Sequence, residues 1–359
     1  MVRNDRPPVA ALSHNPVNGV YVSSVHPRLL VIDKVNGRKA DAVNAGITYA
    51  RNPLICVTDA DSIIEADGML RITEPFLTDN GDLVAVGGSI RITNGSDVSG
   101  GQVNEVCLPK GWIPRFQILE YLRAFIIARV ATSRCSMMML ISGAFGVFKR
   151  TAVIESGGFR HDTVGEDLEL VVRLQRTALE AGRTCRVAYV PDAICWTEAP
   201  STFAGLKGQR ARWQQGAIET LEHHREMIFN PRYGKIGMVA MPLMVLEDIL
   251  VPIAELTGYI LLPIFCWFGI TSAQTFIVFL SFSFLFGTAL SLSALAHEEF
   301  QFRKADKVRD IATMTLCAFV ENFGYRQANF AFRILGMWRK YKGNTTWAIV
   351  PRVGFAKKH

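Results

Sequence analysis

The chain has 359 residues, enough for one large domain or two, and 49% of them are hydrophobic, with the excess lying after Lys235. Its formal net charge is +7, but lysine and arginine are dispersed and no basic tract is interleaved with aromatic residues. That excludes nucleic acid as the expected partner and favours attraction to anionic membrane lipid. Seven cysteines without a CxxC pair exclude a disulfide scaffold and point to reduced thiols in a cytosolic domain, with Cys56 and Cys266 as apolar fillers.

Residues 1–26 read as an N-terminal arm, polar as far as Asn18 and broken by Pro7, Pro8 and Pro16, without the pattern of a secretory signal. Residues 28–33 are predicted as a short strand. Residues 39–51 have helical spacing, with Ala42, Val43, Gly46 and Ile47 on one face. A buried strand at 53–58 runs into Asp59-Ala60-Asp61, and a helix is expected over 67–77. Residues 83–93 form a strand containing Gly87-Gly88, and 116–130 are amphipathic. The apolar run 137–149, with Gly143 and Gly146, predicts a buried strand and turn. Residues 165–181 are a helix with acids in its first turn, where the dipole favours them. A last strand is expected at 186–191, and Gln209 to Trp213 fall on a helix. Strands alternating with helices predict an α/β domain over 27–233 built on a mainly parallel sheet.

From 234 to 359 the expectation is a membrane region with interface helices, two to three transmembrane segments and a basic tail. Residues 249–269 are one bilayer thick but interrupted by Glu255, whereas 273–296 carry no charge. Residues 311–338 are long enough to cross yet hold Glu321, Asn322, Arg326 and Arg333. Those charges should face protein or a water-filled path, not lipid. The loop with Arg303, Lys304, Lys307 and Arg309 should be cytosolic, on the same side as the α/β domain after two crossings. The tail, with Arg339, Lys340, Lys342, Arg352, Lys357 and Lys358, also favours the cytosol, which a third full crossing would forbid. Residues 311–338 are therefore either an exception to that rule or a bent or re-entrant segment.

Four constellations carry chemistry. Asp59 and Asp61, just past a strand, suit a hard cation that also grips phosphate oxygens, or a solvated turn. Gly165-Glu166-Asp167 opens a helix as a general base for an acceptor hydroxyl, or as an acidic N-terminal cap. In Gln209-Arg210-Ala211-Arg212-Trp213, Gln209 and Arg212 share a helical face that suits a diphosphate or acceptor, with Trp213 stacking on sugar. The same segment also suits an amphipathic interface helix with snorkelling arginines. The stretch Gly37 to Gly46 places Lys39 and Asn44 at a helix start fit for phosphate, or simply makes a glycine turn.

Taken in order, these motifs resemble the processive family 2 glycosyltransferases: the hyaluronan, chitin, cellulose and poly-N-acetylglucosamine synthases. The resemblance runs from about Val20 to Phe355. The Gly37–Gly46 stretch is similar to the family's donor-nucleotide segment, Asp59-Ala60-Asp61 to its metal-binding DxD, and Ser142-Gly143-Ala144-Phe145 to its acceptor-lining strand and turn. Gly165-Glu166-Asp167 matches its base motif, with the base at Asp167, and Gln209 to Trp213 its QxxRW motif.

The resemblance implies a GT-A catalytic fold followed by a C-terminal α-helical transmembrane region in the inner (plasma) membrane, multi-pass, with the catalytic domain cytosolic. It implies an inverting transfer from a UDP-sugar with Mg2+ or Mn2+ to a growing β-linked polysaccharide, processive and coupled to export. Lys39, Asn44, Asp59, Ser142, Gly143, Glu166, Gln209, Arg212 and Trp213 would bind substrates, and Asp59 and Asp61 the metal. The alternatives are a single-addition enzyme acting on a glycolipid acceptor, and a non-catalytic or truncated subunit. The family's upstream strand and Asp-rich motif have no counterpart before Lys39. The catalytic domain is thus expected to be N-terminally incomplete, completed by a missing N-terminal portion or a partner subunit.

Overall fold

The computed structural model describes residues 1–4, 6–302 and 308–343. The predicted basic loop at Arg303, Lys304 and Lys307 and the tail residues Arg352, Lys357 and Lys358 lie outside the described residues. The N-terminal residues are not a loose arm. Strands β1 (Val2–Arg3), β2 (Val17–Val22) and β3 (Leu30–Lys34) pair antiparallel in that order. Val20 and Val22 fall on one face of the pleat, a period too short to stand out among polar and proline neighbours. Leu12 and Val20 are buried.

The main sheet holds β4 (Leu54–Thr58), β5 (Ile63–Ile64), β6 (Leu83–Ile92), β9 (Phe145–Lys149) and β10 (Arg186–Thr197), in the order β4-β9-β6-β10-β5. A small hairpin, β7 (Asp97–Ser99) with β8 (Gln102–Glu105), follows β6. The sheet is mixed, which corrects the mainly parallel expectation. Only β6 and β10 pair in parallel; β9 inserts antiparallel between β4 and β6, and β5 pairs antiparallel with β10. Strand-helix alternation does not report this, because β9 is reached through a long helical excursion rather than a single crossover. Strands β4, β6 and β10 therefore point one way. Thr58 at the end of β4 pairs with Phe145 at the start of β9, which brings the Asp59 and Ser142–Ala144 turns to one edge. Strand β6 is buried along its whole length. At Gly88 a side chain is impossible: a Cβ there would lie 2.3 Å from the Phe145 ring.

Helices α1 (Arg38–Tyr49), α2 (Gly68–Leu77), α5 (Arg150–Glu155) and α6 (Glu166–Glu180) accompany the sheet. Between β8 and β9, α3 (Trp112–Leu122) runs through a π-helical stretch, Arg123–Ala128, into α4 (Arg129–Arg134). After β10 comes α7 (Phe203–His223), capped at Thr202, whose side chain accepts from Gly205 N–H. One helical rod then covers Ile236–Trp267, including α8 (Met241–Val245) and α9 (Val251–Trp267), and α10 covers Ala273–Phe302.

The rod, at 32 residues, and Ala273–Glu299, at 27, are both long and apolar enough to cross a membrane. Only 6% and 11% of their most apolar windows are buried, so they are not core helices of a soluble fold. The predicted segment 311–338 is not one helix. It divides into α11 (Val308–Val320) and α12 (Tyr325–Tyr341) at a turn ending in Gly324, φ 92°. Its charges are satisfied by protein, as membrane energetics require. Glu321 pairs with Arg123 and accepts from Ser291, Arg326 pairs with Glu255 at 2.8 Å, and Arg333 with Asp248 at 2.7 Å. Helix α12 folds back along α7, where a Cβ at Gly336 would lie 2.4 Å from the Ala211 carbonyl oxygen.

Candidate active site

The edge where β4 ends and β9 begins gathers residues from four elements. Helix α1 opens with Arg38 at φ 71°, a left-handed conformation that a non-glycine residue adopts only when its surroundings hold it there. From the next position Lys39 reaches the end of β4. Its ammonium contacts the Asp59 carboxylate and donates to the Gly143 carbonyl at 2.9 Å. The Gly143 N–H donates to Asp167 Oδ2 at 2.8 Å, and Leu168 N–H to Oδ1 at 2.9 Å. A Cβ on Gly143 would come within 2.9 Å of Lys39 Nζ and 3.1 Å of Asp167 Oδ2, so a glycine is needed for both to approach. Asp59, Lys39, Gly143 and Asp167 thus form one continuous path of contacts.

Helix α7 supplies the opposite wall. Gly165, just before α6, and Gly216 on α7 touch backbone to backbone: a Cβ on Gly216 would sit 2.7 Å from Gly165 Cα. At about 100° per residue, Gln209, Arg212 and Trp213 lie within about 60° of Gly216 around the α7 axis. That stripe therefore looks toward the Gly165 turn. Glu166 is buried there, and desolvation, aided by the neighbouring Asp167 charge, pushes its carboxyl up to about 7. Lys39 and Arg212 act in the opposite sense on the same carboxyl, which places both cations within electrostatic reach of Glu166. Trp213 is 44% exposed, and the Oε1 of Gln209 is buried with no hydrogen-bond partner among the described residues.

Not every expected residue joins this cluster. Asn44 is wholly buried and acts as a clasp: its amide donates to the carbonyls of Ser13 and Phe159, and its oxygen accepts from Phe159 N–H at 2.7 Å. It is tied to the fold and not presented to a ligand, because position 44 points down α1 into the protein. Ser142 closes its turn, accepting from Ala144 N–H at 3.4 Å. Asp61 is exposed beside Asp59, and no group of three or more His, Cys, Asp or Glu that could hold a metal occurs among the described residues. Two carboxylates still suit a hard cation that takes its other ligands from substrate oxygens and water.

Sequence reasoning missed Arg129 and Glu120. The Arg129 guanidinium lies 3.6 Å over the Phe125 ring, with its Nη1 buried and unpartnered among the described residues. Burial pulls its pKa down to about 10, partly offset by Tyr189 and Asp167. Glu120 receives Arg210 at 2.6 Å. Neither residue sits in a local motif, and only the packing of α3 and α4 under the site brings them there.

The sequence model described as glycosyl transferase family group 2 matches residues 54–295, two thirds of the chain. The chain belongs to this family. Its domain is a glycosyltransferase domain of the GT-A type, and the mixed sheet with DxD at a strand end is that architecture. Among curated relatives, the poly-beta-1,6-N-acetyl-D-glucosamine synthase of Staphylococcus aureus strain COL is 30% identical over 210 residues, 58% of this chain and 46% of that protein. The synthase of the same description from Staphylococcus epidermidis is 32% identical over 188 residues, 52% and 40% respectively. The chain thus spans about half the length of the curated relatives it matches. Among solved structures, the mannosyltransferase PcManGT from Pyrobaculum calidifontis, in complex with GDP-Man and Mn2+, aligns over 86% of this chain and 68% of its own. Its TM-score is 0.49 at 18% identity.

Proposed function

We propose that the chain is the catalytic and membrane-anchoring part of an inverting family 2 glycosyltransferase. It moves a sugar from a UDP-sugar to a growing β-linked polysaccharide, at the cytosolic face of the inner membrane. The observation that carries this reading is the contact path Asp59–Lys39–Gly143–Asp167, walled by the Gln209–Arg212–Trp213 stripe. Residues 27–233 form the catalytic domain with the small N-terminal sheet attached, and 234–359 the membrane region.

The chemistry is a single displacement. An acceptor hydroxyl attacks the anomeric carbon, the bond from that carbon to the diphosphate oxygen breaks, and UDP leaves with the electron pair. Asp167 takes the hydroxyl proton. Its carboxylate is aimed by the Gly143 and Leu168 N–H groups, which leave lone pairs for the incoming hydrogen bond. Lys39 and Arg212 would meet the negative charge that develops on the departing diphosphate, and cations in a partly dry site act more strongly there than in water. Trp213 offers its exposed face to an acceptor ring. A divalent cation held by Asp59 and Asp61 would supply further neutralisation of the diphosphate. Lys39 then moves from Asp59 to phosphate, since a doubly charged ligand competes for the same ammonium.

The test uses the protein in nanodiscs with radiolabelled UDP-N-acetylglucosamine first, the donor suggested by the relatives' polymer, then other UDP-sugars. Polymer made with divalent metal and lost in Asp167→Asn supports the reading. A single added sugar points instead to the glycolipid-acceptor enzyme. No turnover of any UDP-sugar, together with no UDP binding, points to a non-catalytic subunit.

A further inference from the structure

Glu120 lies on α3, outside the reacting cluster, yet donors from two other helices converge on it. Arg210 Nη2 and the Tyr325 hydroxyl reach its Oε2 at 2.6 and 2.8 Å, and the Asn329 amide donates to its Oε1 at 3.0 Å. The Arg210 guanidinium carbon lies 4.5 Å from the centroid of the Trp213 ring. Around the α7 axis Arg210 stands about 60° beyond Trp213, on the shoulder between the site-facing stripe and the face covered by α12.

The α12 side of this arrangement is regular. Tyr325, Asn329 and Arg333 are spaced by four and share one face of the helix. Arg333 Nε donates to Gln214 Oε1 at 2.6 Å and its Nη2 pairs with Asp248 at 2.7 Å, within the Ile236–Trp267 rod. One turn further, Gly336 brings the two helix backbones into contact. The polar stripe of α12 therefore grips α7 beside Trp213 and ties it to a helix of the membrane region.

We propose that Glu120 is a positioning residue for the Trp213 indole, acting through Arg210, with α12 as the second jaw of the clamp. The inference rests on the reading of Trp213 as the acceptor platform. A guanidinium is planar and presents donors in a fixed fork, so holding it on one carboxylate fixes the plane it offers to the ring stacked on it. An exposed indole on a helix is otherwise free to change rotamer. A lysine at 210 would carry the charge without the plane.

The experiment combines two readouts on Glu120→Gln and Tyr325→Phe. Glu120→Gln keeps shape but leaves Arg210 without its counter-charge, which can cost the fold. Tyr325→Phe removes one hydroxyl and leaves the ring 4.7 Å from Phe116. The first readout needs no substrate: acrylamide quenching of the Trp213 share of the fluorescence, taken as wild type minus Trp213→Phe. It should rise about twofold in Glu120→Gln, and in the same direction in Tyr325→Phe, as the ring is released. The second is product length with UDP-N-acetylglucosamine. Glu120→Gln should shorten the product about fivefold when Trp213 is present and have little further effect on Trp213→Ala, with UDP affinity unchanged. Unchanged quenching in both variants, or the same proportional loss with and without Trp213, overturns the proposal. If the wild type turns over no UDP-sugar, the transferase reading fails while quenching still decides the clamp.

Discussion

Replacing Glu166 with glutamine should stabilise the protein at alkaline pH and do little at acid pH. The cause is burial of the Glu166 carboxyl next to Asp167, which lifts it from the ordinary 4.5 to about 7. A carboxyl that holds its proton more tightly when folded makes the folded state lose stability as pH rises from about 4.5 through 7, with a plateau above. At about 1.4 kcal/mol per pH unit, the ionised side chain costs at most about 3 kcal/mol on that plateau. Solvent relaxation around the ionised carboxyl reduces the figure, so a gain of about 1–2 kcal/mol is expected for glutamine, or roughly 2–8 °C in melting temperature for a domain of this size. The assay is thermal unfolding of detergent-solubilised wild type and Glu166→Gln from pH 5 to pH 9. The difference should be small at pH 5, roughly a quarter of its full value, grow up to about pH 8, and stay constant above. A difference independent of pH, or a variant that becomes relatively less stable as pH rises, would refute the assignment of a buried, raised carboxyl.

Asp167→Asn should lower transfer by about 10²–10⁴-fold while UDP still binds, because an amide has nearly the same shape, and its one oxygen can accept from either the Gly143 or the Leu168 N–H, but it cannot take a proton; single-turnover kinetics alongside calorimetry reads both. UDP affinity should fall sharply in EDTA for wild type but not for Asp61→Ala, measured by calorimetry with and without Mn2+; equal affinity in wild type would reduce Asp59 and Asp61 to a turn. Gly216→Ala should cost about 2–3 kcal/mol and abolish transfer, since its Cβ meets the Gly165 backbone and pushes α7 off the base turn; an unchanged melting temperature argues against that contact. A single cysteine at Ser272, between the two apolar rods, should react with an impermeant maleimide in intact cells, whereas one at Asp67 in the catalytic domain should not.

Much of the site was legible locally. Asp59 follows a buried strand, Asp167 opens a helix and Arg212 lies one helical turn from Gln209, and each fact is a matter of spacing within about ten residues. The two apolar rods were legible for the same reason, since length and absence of charge suffice to mark a membrane-length helix. The alternation that marks strands did not show in β2, where prolines and polar neighbours surround only two in-facing valines. Strand direction was not legible either, because hydrophobic patterning is the same whichever way a strand runs. The insertion of β9 between β4 and β6 depends on how a 39-residue excursion from Glu105 to Phe145 folds, and no local signal encodes it.

The sequence by itself therefore determined which groups are available: the carboxylates of Asp59, Asp61 and Asp167, a lysine, two arginines and an indole, and a membrane-length apolar region after them. Tertiary structure decided which of them meet. It turned Asn44 inward as a clasp, because the face of α1 that carries it packs on the 158–159 turn. It set Gly165 against Gly216, a contact between backbones that no side-chain pattern advertises. It also bent 311–338 at Glu321–Gly324 and laid α12 on α7, because the buried charges of that segment find their partners in other helices, and partners so distant in the chain are chosen only by the packed fold.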